Sequence, residues 1–262
     1  MDLILQKLAE YNQSQKAVCL CVVVDAQGGV PRHAGSKMLV LPDGSTLGTV
    51  GGGGVEAAAK QAALEAFRTQ KPTLVHYSLN AQKENALGIC GGEMQVYVEP
   101  FLARPKLLII GAGHVGKAVA RLGNFSNFMV IVSDDRAELC TAEAFPEADL
   151  LLPAAMEDIP QRLEIDSQTY VVDVSRGSEL DVAGLPALLA AEPAYIGVIG
   201  SRRRWEATRS GLLEKGINAV DFQRMKSPVG LNIHAETPEE IAVSILAEII
   251  SIRNAASGQK KE

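Results

Sequence analysis

The sequence predicts an α/β protein with an N-terminal α+β domain over residues 1–104 and a doubly wound parallel sheet over residues 105–262. Two observations indicate this class. Short apolar strand patterns dominate up to residue 101, whereas strands and helices alternate beyond it, which is typical of βαβ units. Between the two patterns lies Ala103-Arg104-Pro105-Lys106, a short polar segment with the features of a linker.

The first domain is expected to open with a helix over 2–11, where Ile4, Leu8 and Tyr11 recur at helical spacing. A strongly apolar segment, 17–25, then predicts a strand. The remaining elements predicted for this domain are strands at 37–41, 46–50, 73–78 and 94–99, a helix at 55–68, and a loop at 80–93.

In the second domain, Leu107–Ile110 is a continuous apolar run of the kind that parallel sheets bury on both faces. The last helix begins with Thr237, Pro238 and Glu240, which together form a capping box with proline at the first helical position. The other predicted elements are strands near 129–133, 149–152, 170–174 and 195–199, and helices near 114–123, 137–144, 182–191 and 202–215.

Composition excludes several classes of function. The chain has 31 acidic and 25 basic side chains, a balance that argues against a duplex nucleic-acid binder. No apolar run approaches the ~20 residues of a membrane span, and the beginning of the chain lacks the basic region of a secretory signal. Four cysteines form no disulfide framework in a chain of this length. We therefore expect a cytoplasmic protein without nucleic-acid or membrane partners.

A glycine fingerprint follows the first apolar strand of the second domain. Gly111, Gly113 and Gly116 form G-x-G-x-x-G between a predicted strand and helix, the context in which this motif indicates a Rossmann-like fold. Asp134 and Asp135 come at the end of the next strand, where an acid usually holds a ribose hydroxyl, and His114 opens the helix. The fold hosts many functions, so binding of NAD(P) and an empty cleft both stay open.

Four consecutive glycines, Gly51, Gly52, Gly53 and Gly54, connect a predicted strand to a predicted helix. Backbone N–H groups exposed in such a loop can bind a phosphate. The alternative is a plain flexible loop.

Cys90 is flanked by glycines, with Gly91 and Gly92 directly after it and no apolar run around it. Backbone N–H groups freed by these glycines would lower the pKa of the thiol, and the lack of neighbouring side-chain bulk would leave the sulfur accessible. A reactive thiol or a ligand for a soft metal fits this setting, and the alternative is a small residue in a tight turn.

A basic segment follows the predicted strand at 195–199. Ser201 and Arg202 begin a run of three arginines at a helix start, where cations are disfavoured by the helix dipole. The run indicates an anionic group nearby, and the alternative is a solvated basic turn.

In this order, the motifs resemble the XdhC/CoxI family of xanthine dehydrogenase accessory proteins. The resemblance spans nearly the whole chain and rests on residues 29–40, 48–53, 56, 90–92, 96–100, 111–116, 134–136, 195–204, 228–231 and 236–248. Many members carry Cys or His after the glycine triplet, whereas this sequence has Gly54 there.

The resemblance implies a chaperone that binds molybdenum cofactor (molybdopterin) and protects it while a cysteine desulfurase supplies sulfur. The chaperone then inserts the cofactor into an apo-hydroxylase of the xanthine dehydrogenase class. It implies Cys90 as the thiol that contacts the metal and Gly51–Gly54 as the phosphate loop.

The alternative is an NAD(P)-dependent oxidoreductase, for which His114, His234 and Glu236 are the candidate acid–base groups. We also expect a homodimer, because the last helix carries a broad apolar stripe.

Overall fold

The computed structural model describes residues 2–79 and 91–256. The chain divides into two compact units, Met1–Ala103 and Arg104–Glu262. Among the described residues, no helix has both the length and the apolar character that a membrane span requires.

The first unit is a five-stranded antiparallel sheet with the strand order β3-β2-β1-β5-β4. The apolar strand β1 lies at its centre and pairs with β2 on one side and β5 on the other. The elements are α1 (Leu3–Gln13), β1 (Val18–Gln27), β2 (Lys37–Val40), β3 (Thr46–Gly48), α2 (Gly53–Thr69), β4 (Thr73–Ser78) and β5 (Glu93–Phe101).

Each face of this sheet contacts one helix. Cys19 and Cys21 share the face that packs against α2, where Ala59 and Ala63 let the helix approach closely. Both thiols are fully buried, as expected for small core residues within an apolar strand. The alternate residues of β1, beginning with Val18, pack towards α1.

The second unit is a six-stranded parallel sheet with the order β11-β10-β9-β6-β7-β8. The chain proceeds outward from β6 through β7 to β8, then returns to the other side of β6 for β9. Its elements are β6 (Lys106–Ile110), α3 (His114–Phe125), β7 (Met129–Ser133), β8 (Leu150–Leu151), α4 (Ile159–Arg162), β9 (Thr169–Asp173), α5 (Ser178–Ala190), β10 (Tyr195–Val198), α6 (Arg202–Glu214), β11 (Met225–Lys226) and α7 (Pro238–Ala256).

This order places a topological switch point between β6 and β9, where parallel α/β sheets bind ligands. One face of the sheet packs against α3 and α7, and Leu108 and Ile110 face a second core on the side of α5 and α6. The predicted burial of β6 on both faces is confirmed.

The predicted helix over 137–144 is wrong, because only a short 3-10 turn, Ala137–Leu139, forms there. The backbone leaves the helical region at Cys140, whose thiol is buried and donates to the carbonyl of Val132 at 3.3 Å. Thr141 then accepts the N–H of Ala144 and starts a separate turn. Burial of one side chain therefore outweighs the helical propensity of this segment. Two short elements, α4 and β11, have no counterpart among the predicted elements, and α5 begins four residues earlier than predicted.

The capping box of α7 is confirmed. Glu240 N–H donates to Thr237 Oγ1 at 3.2 Å, and Glu240 Oε2 accepts from Thr237 N–H at 3.1 Å. The apolar stripe of this helix packs into the core of its own unit, with Ile245 and Ile249 fully buried. The stripe is therefore covered within the chain and is not a reason to expect a second copy.

The contact between β6 and α3 depends on the absence of a side chain at Gly116. A Cβ at this position would lie 2.0 Å from the carbonyl oxygen of Gly111, so we expect Gly116→Ala to reduce the free energy of unfolding by about 1–3 kcal/mol. Urea unfolding measures this loss. Gly113→Ala is the matched control, since no described atom beyond its chain neighbours lies within 4 Å of the added carbon. Equal stability of the two variants would contradict this packing.

Candidate functional site

The loop from Gly111 to Gly116 follows the carboxyl end of β6, at the switch point of the sheet. Gly111 has a φ of +117° and packs against Val174, whose carbonyl oxygen would lie 2.7 Å from an added Cβ. Gly113 precedes α3 as its N-cap and provides no side-chain cap. Among the described residues, the cap position of α3 therefore offers no side-chain acceptor to the first N–H groups of the helix, and the helix itself supplies none.

Asp134 stabilises this loop by accepting a hydrogen bond from its backbone. Its Oδ2 accepts from Ala112 N–H at 2.7 Å and from Arg136 Nη2 at 3.0 Å, and its Oδ1 accepts from the backbone N–H and Nε of Arg136, both at 2.9 Å. Burial alone would raise the pKa of Asp134, but these hydrogen bonds bring it to about 2. The carboxylate is only 4% exposed, and its four acceptor positions are filled within the chain.

Asp135, the next residue, forms a two-pronged ion pair with Arg176 at 2.6 and 2.7 Å. The two residues follow β7 and β9, so the pair crosses the end of β6. Hydrogen bonds from Arg176 lower the pKa of Asp135. Both side chains are partly exposed and line a cleft whose other wall is mainly apolar, formed by Ala154, Ala155, Met156, Leu180 and Ala183.

A buried polar cluster beside this cleft was not anticipated from the sequence. Asp181 on α5 accepts from Arg204 Nη2 at 2.7 Å, from Thr208 Oγ1 at 2.8 Å and from Ser175 Oγ at 3.1 Å. Arg204 also donates to the carbonyl of Ser175. This cluster fastens α5 and α6 to the loop that follows β9.

Asp173, at the end of β9, is fully buried next to this cluster. Its Oδ1 accepts from Ser175 N–H at 2.9 Å, whereas Oδ2 has no hydrogen-bond partner within the described part of the chain. Burial and the neighbouring charge of Asp181 raise the pKa of Asp173 to about 7. An acid that ends an apolar parallel strand was the available signal for this site, since such ends face the ligand edge of the sheet.

The basic segment divides into two parts with different roles. Ser201 caps α6, its Oγ accepting from Arg204 N–H at 3.3 Å. Arg204 forms an ion pair with the buried carboxylate of Asp181. Asp181 is therefore the anionic group that the run of three arginines predicts. Arg202 and Arg203 are exposed.

The candidate acid–base groups of the oxidoreductase alternative lie in different segments of the second unit. His114 is exposed at the first turn of α3, and Glu236 is exposed next to the cap of α7. His234 lines a separate cavity formed by the loop 228–235 and Gly200. Within residues 2–79 and 91–256, no cluster of three or more His, Cys, Asp or Glu side chains has the geometry to hold a metal ion.

In the first unit, the glycine loop 51–54 leads into α2 and is braced by one carboxylate. Glu56 Oε2 accepts from Thr49 Oγ1 at 2.7 Å and from Gly52 N–H at 3.2 Å. Gly53 and Gly54 are exposed. Their N–H groups belong to the first turn of α2, where an α-helix supplies no acceptors.

The loop between β1 and β2 contacts both glycine segments of this unit. A Cβ at Gly92 would lie 2.4 Å from the carbonyl oxygen of Gly29, and one at Gly51 would lie 2.9 Å from the ring of Pro31. The structure therefore gathers Gly51–Gly54, Gly91 and Gly92 around this loop, which also carries exposed Arg32 and His33. Sequence reasoning did not assign a role to that loop. Cys90 lies outside the described residues.

Two family models match the chain. Residues 107–249 match the XdhC Rossmann domain, and residues 12–78 match the XdhC and CoxI family. The chain therefore belongs to the XdhC/CoxI family, as its motifs predicted.

Curated relatives extend this match. The chain is 35% identical to uncharacterized protein YqeB of Escherichia coli over 97% of its own length and 47% of that protein. The chain is also 34% identical to a protein of Bacillus subtilis named as a probable xanthine dehydrogenase subunit. This match covers 60% of the present chain and 46% of the Bacillus protein. The chain thus spans about half the length of these two relatives.

A third relative matches along most of both chains. This is the molybdenum cofactor insertion chaperone PaoD of Escherichia coli, 26% identical over 95% of this chain and 88% of PaoD. A solved structure described as a xanthine dehydrogenase from Bacillus halodurans shares the fold, with a TM-score of 0.54, 21% identity and coverage of 96% of each chain.

The buried Asp173 predicts a dependence of stability on pH. An unfolded Asp loses its proton near 3.8, whereas folded Asp173 keeps it to about 7, so the folded state binds more protons between these values. The free energy of unfolding should therefore fall as pH rises through this window, by on the order of a few kcal/mol. We expect Asp173→Asn to remove that fall, as measured by urea unfolding from about pH 4 to pH 8.

The control for this measurement is Asp166→Asn. Burial raises the pKa of Asp166, but hydrogen bonds from Lys106 and Gln168 outweigh it and leave the pKa lowered. This variant should keep the wild-type loss of stability across the same pH range. An unchanged slope in Asp173→Asn would show that the folded carboxyl titrates normally.

Proposed function

We propose that this protein binds molybdenum cofactor and delivers it to a hydroxylase of the xanthine dehydrogenase class. The observation that carries the proposal is the match to PaoD, which extends over 88% of a protein named as a molybdenum cofactor insertion chaperone. The match to the probable xanthine dehydrogenase subunit of Bacillus subtilis supports the class of the recipient enzyme.

The glycine loop of the first unit suits the phosphate of the pterin. Glu56 and Thr49 stabilise the loop from the inner side, while the exposed N–H groups at the start of α2 are directed to an incoming anion. Arg32 and His33 lie on the loop that contacts Gly51 through Pro31. The charge of Arg32 would favour a phosphate in the same place.

We assign Cys90 the contact with the metal, because a thiolate is a ligand that soft metals prefer. Gly91, next to it, is exposed with a φ of +77°. In this proposal a cysteine desulfurase is the second partner and sulfurates the cofactor while the protein holds it.

In this proposal the protein binds the cofactor and does not catalyse a reaction of its own. The carboxylates closest to the two glycine loops, Asp134 and Glu56, accept hydrogen bonds from within their own units and brace the backbone. The alternative of NAD(P)-dependent oxidation gains no acid–base group from Asp134, since that carboxylate has its four acceptor positions filled.

Purification from a molybdenum-replete host tests the proposal. We expect oxidative treatment of the pure protein to release fluorescent pterin in amounts equimolar with the chain. Protein that carries bound nicotinamide and no pterin, and that oxidises or reduces a substrate, would favour the oxidoreductase instead.

The role of Cys90 is tested by Cys90→Ser. The change is nearly isosteric and lies outside the apolar runs, so we expect it to lower pterin retention severalfold while the melting temperature stays close to wild type. Cys140→Ser is the control, because it removes a buried thiol of the second unit and should leave retention unchanged in the folded fraction. Wild-type retention in Cys90→Ser would remove this thiol from the metal contact.

Gly54 offers a gain-of-function test. The residue is exposed in the first turn of α2, so a side chain placed there is open to a bound ligand. Gly54→Cys restores a thiol that many family members carry and should increase pterin retention. Gly54→Ala is the matched control and should not. Equal retention in both variants would contradict a metal-facing position at residue 54.

A further inference from the structure

We propose that a polar cavity on the antiparallel sheet of the first unit binds the pterin ring of the cofactor, with the carboxylate of Asp25 accepting from the 2-amino and N3–H groups of the ring. This inference rests on the proposed function and adds the position of the ring to it. The cavity has a volume of about 280 Å³, which suits one small ring system. Its polar lining residues are Asp25, Gln27, His76, Ser78, Glu93 and Gln95.

A bulge in β1 places the polar residues of this strand on the face of the sheet that carries the cavity. Val22, before the bulge, packs on the side of α1. Simple alternation would send Val24 to the same face and Asp25 into the core. A one-residue shift of register before Asp25 reverses this order, so Asp25 shares the face of Val22 and Ala26 packs against the core instead. Bulges redirect side chains in this way and are frequent beside functional sites.

The register of β1, β5 and β4 brings the polar residues together in two rows. Asp25 lies opposite Gln95, and Gln95 lies opposite His76 on its other side. The second row consists, in the same strand order, of Gln27, Glu93 and Ser78. Residues paired across strands point to one face, and successive rows on a face are about 7 Å apart. The six side chains therefore form one continuous patch.

The composition of the cavity selects a ligand that donates hydrogen bonds. The carboxylates of Asp25 and Glu93 only accept, and the described residues that line the cavity include no lysine or arginine. A phosphate or another anion is therefore disfavoured there. The aminopyrimidinone edge of a pterin is uncharged and presents the 2-amino and N3–H donors side by side. This pair of donors matches the two oxygens of one carboxylate.

Asp25 is held in place and still has room for the ring. Its Oδ1 accepts from Ala26 N–H at 2.9 Å, and its Oδ2 accepts from Gln27 Nε2 at 3.1 Å. A carboxylate has about four acceptor positions, so these described partners leave one position on each oxygen for a ligand. Ser78 adds a buried hydroxyl that has no hydrogen-bond partner in the described part of the chain. A bound ring would supply the partner that such a group requires.

One short segment joins the cavity to the glycine loop of the same unit. Gln27 lies at the edge of the cavity, and its carbonyl oxygen would lie 2.6 Å from a Cβ at Gly92. Four residues further along the chain, the ring of Pro31 contacts Gly51 of the glycine loop. Four residues span at most about 14 Å. A three-ring pterin and its phosphate arm bridge a distance of this order, so the ring and the phosphate fit at the two ends of the segment.

Fluorescence titration of the full chain with two free ring compounds tests the site. 6-Hydroxymethylpterin carries the 2-amino group, and 6-hydroxymethyllumazine has an oxygen in its place. We expect wild type to bind the pterin about 10-fold more tightly, because the carboxylate pairs with the amino group and repels the oxygen. Asp25→Asn should bring the ratio of the two affinities close to one, since an amide nitrogen donates to that oxygen.

Asp43→Asn is the matched control. It makes the same change in the turn between β2 and β3, where Asp43 Oδ1 accepts from Ser45 N–H, and should keep the wild-type ratio. Asp25→Asn retains Oδ1 as the acceptor for Ala26 N–H, so its melting temperature should stay close to that of wild type. A ratio near one in wild type, no saturable binding of the pterin at millimolar concentration, or a wild-type ratio in Asp25→Asn would overturn the proposal.

The result is separable from that of the proposed function, because the two probes carry neither metal nor phosphate and report recognition of the ring alone. If the protein purifies with equimolar pterin but shows a ratio near one, the cofactor is bound and this cavity does not hold its ring. If the protein purifies without pterin but shows a ratio of about 10 that Asp25→Asn removes, the cavity recognises the pterin edge and the carrier function fails.

Discussion

Close approach of backbone to backbone is the constraint on which one glycine in each unit depends. Gly116 lets α3 rest on the carbonyl of Gly111, and Gly92 lets β5 begin against the carbonyls of Gln27 and Gly29. Side chains at these positions would push the segments apart, because a Cβ on either glycine would lie within 2.6 Å of those carbonyl oxygens. Gly116 and Gly92 therefore hold neighbouring backbone segments together where a side chain would separate them.

The same bracing device appears in both units. In the first, Glu56 accepts the N–H of Gly52, and in the second, Asp134 accepts the N–H of Ala112. Each carboxylate fixes the inner side of a loop whose outer side faces solvent. In both loops, carboxylates that are already hydrogen-bonded hold the backbone donors in place. This arrangement suits a protein that binds an anionic ligand without changing it chemically.

Signals confined to a few consecutive residues were sufficient for much of the fold. The capping box at Thr237 and Glu240, the apolar strand β6 and the glycine fingerprint depend on neighbours in sequence, so the pattern alone predicts them. The family could also be recognised, because its motifs occur in a fixed order along the chain.

The features of the fold and site that the sequence did not predict depend on contacts between residues far apart in the chain. Arg204 belongs to the basic segment, yet its partner Asp181 lies 23 residues earlier on another helix. Asp134 has the sequence position of a ribose ligand, but the adjacent Arg136 and the loop N–H occupy its oxygens. The irregular crossover after β7 likewise results from burial of Cys140, which no local propensity reports.

The proposed delivery of cofactor is tested by measuring its transfer from this protein to a recipient enzyme. Pterin-loaded protein is mixed with an apo-hydroxylase of the xanthine dehydrogenase class, and the two proteins are separated by gel filtration while pterin fluorescence is followed. If the protein delivers the cofactor, pterin moves to the hydroxylase fraction and hydroxylase activity appears with it. Pterin that stays with the protein, or activity that appears equally fast from free cofactor alone, would contradict a role in delivery.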